Sequence, residues 1–287
     1  MFRRAASFAV LSLALAAARA PALPAQRVVS LNPSLTAIAV ELGAAEQLVG
    51  VDDFSARQEP AVARLPRVGG LYDPSLEAVV ALRPDLVMLV PSAEQRGFQR
   101  QLEALGIARF VTDPSSYDDV LATIAAVAAQ LGREREAAAL VAKLRAALER
   151  VRAGSAGRAP VRALLVLQRD PLYVAGGGTF VDDMLRASGA HNLGARLGGA
   201  WPRASREWLL AARPELIIDS TDEPEPAAQF WARWPSLRAR IVSLPAGAVT
   251  LPGPRLDSAL ARIERAVHGE LAESAETGAE SRASAPR

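Results

Sequence analysis

The chain of 287 residues is half apolar and only 5% aromatic, long enough for one large or two medium domains with a substantial core. Its formal charge of +2 leaves no electrostatic footprint for nucleic acid, and 32 arginines against the single Lys143 read as composition rather than as a phosphate-binding device. Cysteine is absent, which excludes disulfides, thiolate catalysis, cysteine-ligated zinc and a lipid-bearing N-terminal cysteine.

Arg3 and Arg4 precede an apolar run over residues 5–18 that is short for a membrane span and has the plan of a secretory signal. Ala18-Arg19-Ala20 offers a small-x-small cleavage site but runs straight into Pro21. Ala20-Pro21-Ala22 avoids this and places the mature start near Leu23, with an uncleaved anchor as the alternative. Loss of residues 1–22 removes three arginines and leaves 30 basic against 31 acidic residues, a nearly neutral exported protein suited to the periplasm.

Residues 27–31 are strand-like, Asn32-Pro33-Ser34 opens a helix over 35–42, and 48–51 form a second short strand. Residues 85–90 are a continuous apolar run of buried-strand type, 109–112 are another, and helical spacing over 93–105 stops at Gly106. Strands alternating with helices imply a parallel α/β layer. From Tyr117 the strand signal disappears. Residues 118–131 and 134–152 are rich in Ala, Leu, Arg and Glu at helical spacing, and the second stretch predicts a helix of about 28 Å. After the break at 154–157, strands are predicted at 161–167, 173–175, 216–219 and 241–244, with helices at 179–187 and 255–267. The small, polar tail 270–287 reads as disordered. The organisation expected is a signal peptide (1–22), an N-terminal α/β lobe (23–116), a helical region with an interlobe helix (117–157), a C-terminal α/β lobe (158–269) and a tail (270–287).

An internal repeat supports two related lobes. Asp-Pro-Ser-Leu-Glu-Ala-Val-Val-Ala-Leu-Arg-Pro-Asp-Leu-Val at 73–87 matches Arg-Ala-Ser-Arg-Glu-Trp-Leu-Leu-Ala-Ala-Arg-Pro-Glu-Leu-Ile at 203–217, ungapped, at an offset of 130. Ser75 and Ser205 are placed as N-caps. Arg83-Pro84 and Arg213-Pro214 end each helix, because proline removes an amide and biases its predecessor away from helix. Glu77 and Glu207 fall in the first turns, where a carboxylate complements the macrodipole by some tenths of a kcal/mol. They also offer one acid at the matching place on each lobe to a partner with two basic pockets.

Arg27-Val28-Val29-Ser30-Leu31-Asn32-Pro33-Ser34-Leu35-Thr36, Leu42-Gly43-Ala44, Leu48-Val49-Gly50-Val51, Leu65-Pro66-Arg67-Val68-Gly69-Gly70, Ser188-Gly189-Ala190-His191-Asn192 and Trp201-Pro202 follow in order. With the repeat, they make residues 27–268 resemble the helical-backbone periplasmic binding proteins of ABC importers for cobalamin, haem and ferric siderophores. The resemblance implies two lobes joined by one long helix, and docking of Glu77 and Glu207 onto arginines of a membrane permease. It also implies a small metal-chelate ligand, no cofactor and a monomer. Within the family the chain is most similar to the cobalamin-binding branch, which implies a corrinoid ligand. Trp201 and Tyr173 match aromatic positions of that branch's pocket, and Phe54 and Tyr72 lie near other lining positions, whereas Leu71 and Val90 replace bulky rings. Haem or a ferric siderophore is the alternative, with Tyr72 near the loop that would ligate haem iron.

An enzyme reading lacks its parts: no histidine pair, no Gly-x-Ser-x-Gly and no metal-spaced acidic cluster is present. A chelatase-like two-lobed enzyme is the best alternative of that class. Asp52-Asp53 and Asp182-Asp183 read as solvated turn or helix faces, His191 and His268 as structural, and Trp208, Trp231 and Trp234 as packing residues. Gly176-Gly177-Gly178 suits either an anion cradle or a strand-to-helix turn.

Overall fold

A computed structural model describes residues 23–91 and 96–269. The signal segment and the tail expected at 1–22 and 270–287 lie outside them. The first lobe runs β1 (Val28–Ser30), α1 (Pro33–Glu41), β2 (Leu48–Val51), α2 (Asp53–Gln58), α3 (Leu76–Ala81), β3 (Leu86–Leu89), α4 (Arg96–Ala104) and β4 (Ala108–Val111). Its four strands are all parallel, in the order β2-β1-β3-β4. Two helices follow, α5 (Tyr117–Leu131) and α6 (Glu134–Ser155). The second lobe comprises β5 (Val161–Arg169), β6 (Leu172–Val174), α7 (Phe180–Ala187), β7 (Ala190–Asn192), α8 (Arg206–Ala212), β8 (Leu216–Asp219), α9 (Ala227–Ala232), β9 (Arg240–Ser243) and α10 (Leu256–His268). Its sheet has the order β6-β5-β8-β9, with β7 beside the first half of β5. Only β6 is antiparallel.

Alternation along the strands decides where the cores sit. Val28, Leu86 and Met88 of the first sheet, and Ala163, Leu165, Leu216 and Ile218 of the second, point into one cluster shared with α1, α5, α6, α7 and α10. Their neighbours Val29, Val87 and Leu89 point the other way, into a core with Phe98 and Leu102. Leu164, Val166 and Ile217 do the same into a core with Leu209 and Trp231. A strand covered on both faces must be apolar throughout, which is why β3 reads Leu-Val-Met-Leu and is buried at every position.

The lobes therefore share a central helical layer. The buried Tyr117 hydroxyl donates to the Leu144 carbonyl at 3.0 Å, and burial raises that phenol well above its ordinary range. The Tyr117 N–H donates to Asp183 at 2.9 Å, and the Phe180 N–H to the Ser115 carbonyl at 2.6 Å. Lys143 pairs with Asp257 at 2.8 Å, and Arg255 with Glu59 at 3.1 Å. The first joins the two helices to each other, and the others join a lobe to the helices or to the other lobe.

The repeat is a structural one. Ser75 and Ser205 accept the N–H groups of Ala78 (3.2 Å) and Trp208 (3.1 Å). Among the described residues Arg83 (φ 46°) and Arg213 (φ 47°) are the two non-glycine residues with positive φ, each ending its helix in the left-handed region before a proline. An arginine at the start of each first strand caps that turn: Arg27, just before β1, donates through Nε to the Arg83 carbonyl and Arg162, second in β5, to the Arg213 carbonyl, both at 3.1 Å. Asp85 accepts the N–H of Arg27 at 3.0 Å, and Glu215 that of Arg162 at 2.9 Å. One framework is thus written twice.

Several expectations need correction. Helix α6 spans 22 residues, about 33 Å, and continues past the expected end at 152. Packing carries it over Gly154: Val151 and Ser155 are buried, and the Ser155 side chain abuts Gly189. The short elements α2, β7 and α9 carry no periodicity long enough to read, and most other boundaries move by one or two residues. Of the helix expected at 93–105, the described part is Arg96–Ala104. Asp52 and Asp182 are not solvated faces. Asp52 is the fully buried N-cap of α2, accepting from the Phe54 and Ser55 amides, and Asp182 is buried beneath α7.

Candidate ligand cleft and docking surface

Each lobe carries an irregular segment bonded along one sheet edge, parallel to β2 in the first and antiparallel to β6 in the second. In the first, residues 66–69 pair along β2, through Val51 N–H to the Pro66 carbonyl (3.0 Å) and Val68 N–H to the Val51 carbonyl (3.0 Å). The Asp53 N–H then donates to the Gly69 carbonyl at 3.0 Å, tying the start of α2, which bears Phe54, to the turn that bears Tyr72. Gly69 has φ 106° and lies against the Asp73–Ser75 backbone, so a β-carbon there would sit 2.8 Å from the Asp73 carbonyl oxygen. In the second lobe, residues 200–204 run beside β6. The Val174 N–H donates to the Pro202 carbonyl at 3.1 Å and the Ala204 N–H to the Leu172 carbonyl at 2.8 Å, with Tyr173 paired to Arg203.

These edges present the four aromatic candidates as two pairs. Phe54 (44% exposed) and Tyr72 (64%) lie on the two bonded segments of the first lobe, and Trp201 (41%) and the half-buried Tyr173 on those of the second. Among the described residues Phe54, Tyr72 and Trp201 are the exposed aromatics, and the other rings are buried or half-buried. Trp201 meets Phe180 edge to face at 6.3 Å between centroids, and Arg57 lies over the Phe54 ring at 4.6 Å. Phe180 begins α7 beside the interlobe contact to Ser115, so Trp201 stands at the seam of the lobes. Gly253, in the segment after β9, lies near the Ser34 carbonyl in the first turn of α1, and Ser115 after β4 is bonded to Phe180 after β6, so the lobes meet at two places along the seam. Crevices at strand carboxyl ends are where open α/β sheets bind ligands.

Glu77 and Glu207 are both exposed at the starts of α3 and α8. The Glu207 carboxyl is held below its ordinary range by its own backbone N–H and by the Ser205 hydroxyl. A cavity of about 460 Å³ adjoins it, walled by Arg203, Arg206, Phe230, Trp231 and Trp234. Trp231 is a core residue, whereas Arg206 lies over Trp234 at 5.4 Å. The glycines 176–178 form the strand-to-helix turn leading to the Thr179 N-cap. His191 and His268 are exposed or half-buried, and each contacts an arginine, Arg196 (3.3 Å) and Arg158 (3.0 Å) respectively. Among the described residues no group of acids and histidines could hold a metal ion, and no helix is long and apolar enough to cross a membrane.

Sequence reasoning missed two polar clusters. The Arg169–Asp219 ion pair (2.9 Å) is enclosed with the Trp231 indole at the ends of β5 and β8. Asn192 bonds Asp182 at 2.9 Å behind the Trp201 loop. The string Ser188–Asn192 flagged the second only as a family mark.

The chain was compared with known proteins. It is 28% identical over 226 residues to a vitamin B12-binding protein of Yersinia pestis, covering 78% of this chain and 80% of the relative. The periplasmic vitamin B12 binding protein BtuF of Vibrio cholerae superposes with a TM-score of 0.74 at 24% identity, over 85% of this chain and 97% of that one. A periplasmic heme-binding protein of Pseudomonas aeruginosa superposes with a TM-score of 0.74 at 28% identity, over 88% and 100%. The family model described as periplasmic binding protein matches residues 28–230, from β1 through β8 into α9. With two like lobes around a helical layer and a sequence match across both, this chain belongs to the periplasmic binding protein family, whose members carry substrates rather than transform them.

Proposed function

We propose that this protein is the periplasmic carrier of an ABC importer, binding a corrinoid of the cobalamin type between its lobes. The observation that carries the reading is that aromatics stand along one sheet edge of each lobe, the exposed Phe54 and Tyr72 on the first and the exposed Trp201 and half-buried Tyr173 on the second. A corrinoid has broad apolar faces and amide edges, and flat rings on opposite walls cover such faces at low entropic cost. The similarity to vitamin B12-binding proteins supports the same ligand. The signal segment at 1–22 would deliver the chain to the periplasm. Glu77 and Glu207, one per lobe, would meet arginines of the permease.

Heme is the second reading, supported by the heme-binding structural relatives. Its axial ligand would have to come from Tyr72, since His191 and His268 are engaged with arginines away from the aromatic pairs. Calorimetry against cyanocobalamin, cobinamide and hemin separates the two. Cyanocobalamin binding that weakens by about 2 kcal/mol in Trp201→Ala supports the corrinoid reading, as for a buried aromatic anchor. Tight hemin binding with a tyrosinate-type high-spin spectrum, and no corrinoid binding, overturns it.

A further inference from the structure

We propose that Asn192 and Asp182 are the positioning residues of the ligand pocket, holding Trp201 in its binding orientation without touching ligand themselves. The inference rests on the reading of Trp201 as a pocket wall. Trp201 is held by its loop's pairing with β6, where the Val174 N–H donates to the Pro202 carbonyl at 3.1 Å, and by two further supports. Its loop is bonded to the chain after β6 through the Gly176 N–H, which donates to the Ala200 carbonyl at 2.8 Å. Its ring leans on Phe180, the first residue of α7. Both supports hang from one buried cross-brace.

Asn192 ends β7, and its carboxamide shares two hydrogens among three acceptors: Asp182 Oδ1 (2.9 Å), the Ala175 carbonyl (3.2 Å) and the Gly176 carbonyl (3.3 Å). Its Oδ1 accepts the Gly194 N–H at 3.1 Å, so the carboxamide is fully used. Asp182 answers from the first turn of α7, its Oδ2 accepting the Gly178 N–H at 3.2 Å. Thr179 closes the ring, accepting the Asp182 N–H at 3.0 Å and donating to the Gly176 carbonyl at 3.1 Å. Asn192, Asp182 and Thr179 are all buried. The turn 175–179 is therefore bonded from β7 and from α7 at once, and its glycines are required by contact. A β-carbon on Gly176 would lie 2.0 Å from the Gly199 carbonyl oxygen, and one on Gly194 would lie 2.2 Å from that of Ala175. Three segments converge with no room to slide, and the Trp201 loop is the one facing outward.

Asn192 is thus chemically matched to this place: like Thr179 it is bonded both to the backbone that receives the Trp201 loop and to the helix that bears Phe180, and it brings that bonding from β7. A network this enclosed transmits a small shift, because an aromatic wall displaced by about 1 Å no longer closes on a rigid ligand.

The test compares Asn192→Ala and the near-isosteric Asp182→Asn, each alone and combined with Trp201→Ala, using cyanocobalamin and, separately, the ligand-free protein. We expect Asn192→Ala to weaken cyanocobalamin on the order of tenfold and Asp182→Asn to weaken it less. In the Trp201→Ala background neither should cost further affinity. A loss that persists without Trp201 overturns the proposal in favour of general destabilisation. In ligand-free protein that still melts cooperatively, acrylamide quenching of the Trp201 emission, taken as the difference from the Trp201→Phe partner, should change in both variants. Unchanged quenching overturns the proposal whatever the ligand. If instead Trp201→Ala binds cyanocobalamin as well as the native protein does, the pocket reading fails, and that result is distinct from failure of the brace.

Discussion

Removing the Asp219 carboxylate is the sharpest test of how the second lobe is held together. Arg169 and Asp219 face each other with 2% and 0% of their side chains exposed, joined by Nε–Oδ2 (2.9 Å) and Nη2–Oδ1 (3.3 Å) bonds. Asp219 also accepts from the Trp231 indole (2.6 Å) and the Thr221 hydroxyl (2.8 Å). Asp219→Ala leaves a buried guanidinium facing an apolar wall, which costs about 3–5 kcal/mol. Arg169 keeps the Glu225 carbonyl and a half-exposed Glu223 carboxylate at 3.9 Å, which favours the lower end. The orphaned indole N–H adds about 1 kcal/mol or more. A total near 4 kcal/mol is a large share of the roughly 5–15 kcal/mol that stabilises a domain, and corresponds to a fall of roughly 8–16 °C in melting temperature. Arg169→Met combined with Asp219→Leu removes both charges and should recover most of that loss, leaving the indole unpaired. Urea denaturation of the two single variants, the double variant and the native protein closes the cycle. A cost under about 1 kcal/mol for Asp219→Ala, or a double variant no more stable than the single, would refute the reasoning.

Four further outcomes are expected. Changing both Glu77 and Glu207 to Ala should leave cyanocobalamin affinity unchanged while binding to the permease and uptake fall sharply, with normal uptake in the double variant counting against docking. Arg83→Gly and Arg213→Gly should each stabilise by about 0.5–1 kcal/mol in thermal melts, because relief of a left-handed non-glycine backbone exceeds the added chain entropy. Burial alone would raise Asp257, but the Lys143 ammonium and the Ser258 amide override it and hold its carboxyl low, while Asp257 raises Lys143. Their contribution is therefore present from above about pH 4 to about pH 10.4, is lost on acidifying through the lowered value or on raising pH through the raised one, and should vanish from the pH–melting curve of Asp257→Asn. Because the lobes share one core with α5, α6, α7 and α10, X-ray scattering of free and ligand-bound protein should nearly superimpose, and a large drop in radius of gyration would contradict a braced hinge.

Much of the fold was legible because its signals are local. Residues 85–90 announce β3 through an uninterrupted apolar run, and 134–152 announce most of α6 through helical spacing. The last turn of α6 was not legible, because what carries the helix through Gly154 is the contact of Ser155 with Gly189 from the other lobe. Burial of Asp52 and Asp182 was hidden for a related reason. An acid at a helix start looks the same in sequence whether its partner is water, its own amides or an asparagine ten residues away. Trp201 could be picked out from its glycine-rich loop, but its ring partner Phe180 follows from how β6 and α7 converge, and no spacing encodes that.

The two lobes separate what duplication keeps from what it releases. At the framework positions both copies use the same chemistry: a serine cap (Ser75, Ser205), a left-handed arginine (Arg83, Arg213), an acid on the first strand's amide (Asp85, Glu215) and an arginine over the turn (Arg27, Arg162). Their side chains bond to backbone of the same lobe, so a change in one copy would have to be answered within that copy. Around Glu77 and Glu207 the copies part: Asp73 and Leu76 in the first lobe stand where Arg203 and Arg206 stand in the second. Asp73, Arg203 and Arg206 are exposed, with Arg206 over Trp234, whereas Leu76 packs against the outer core of the first lobe. The glutamates sit among the divergent positions and yet are the same. First-turn capping supplies a reason to keep an acid there, but Asp serves that purpose as well as Glu. A shared requirement for the longer carboxylate, reaching outward from both lobes, fits contact with one partner surface better than two independent caps.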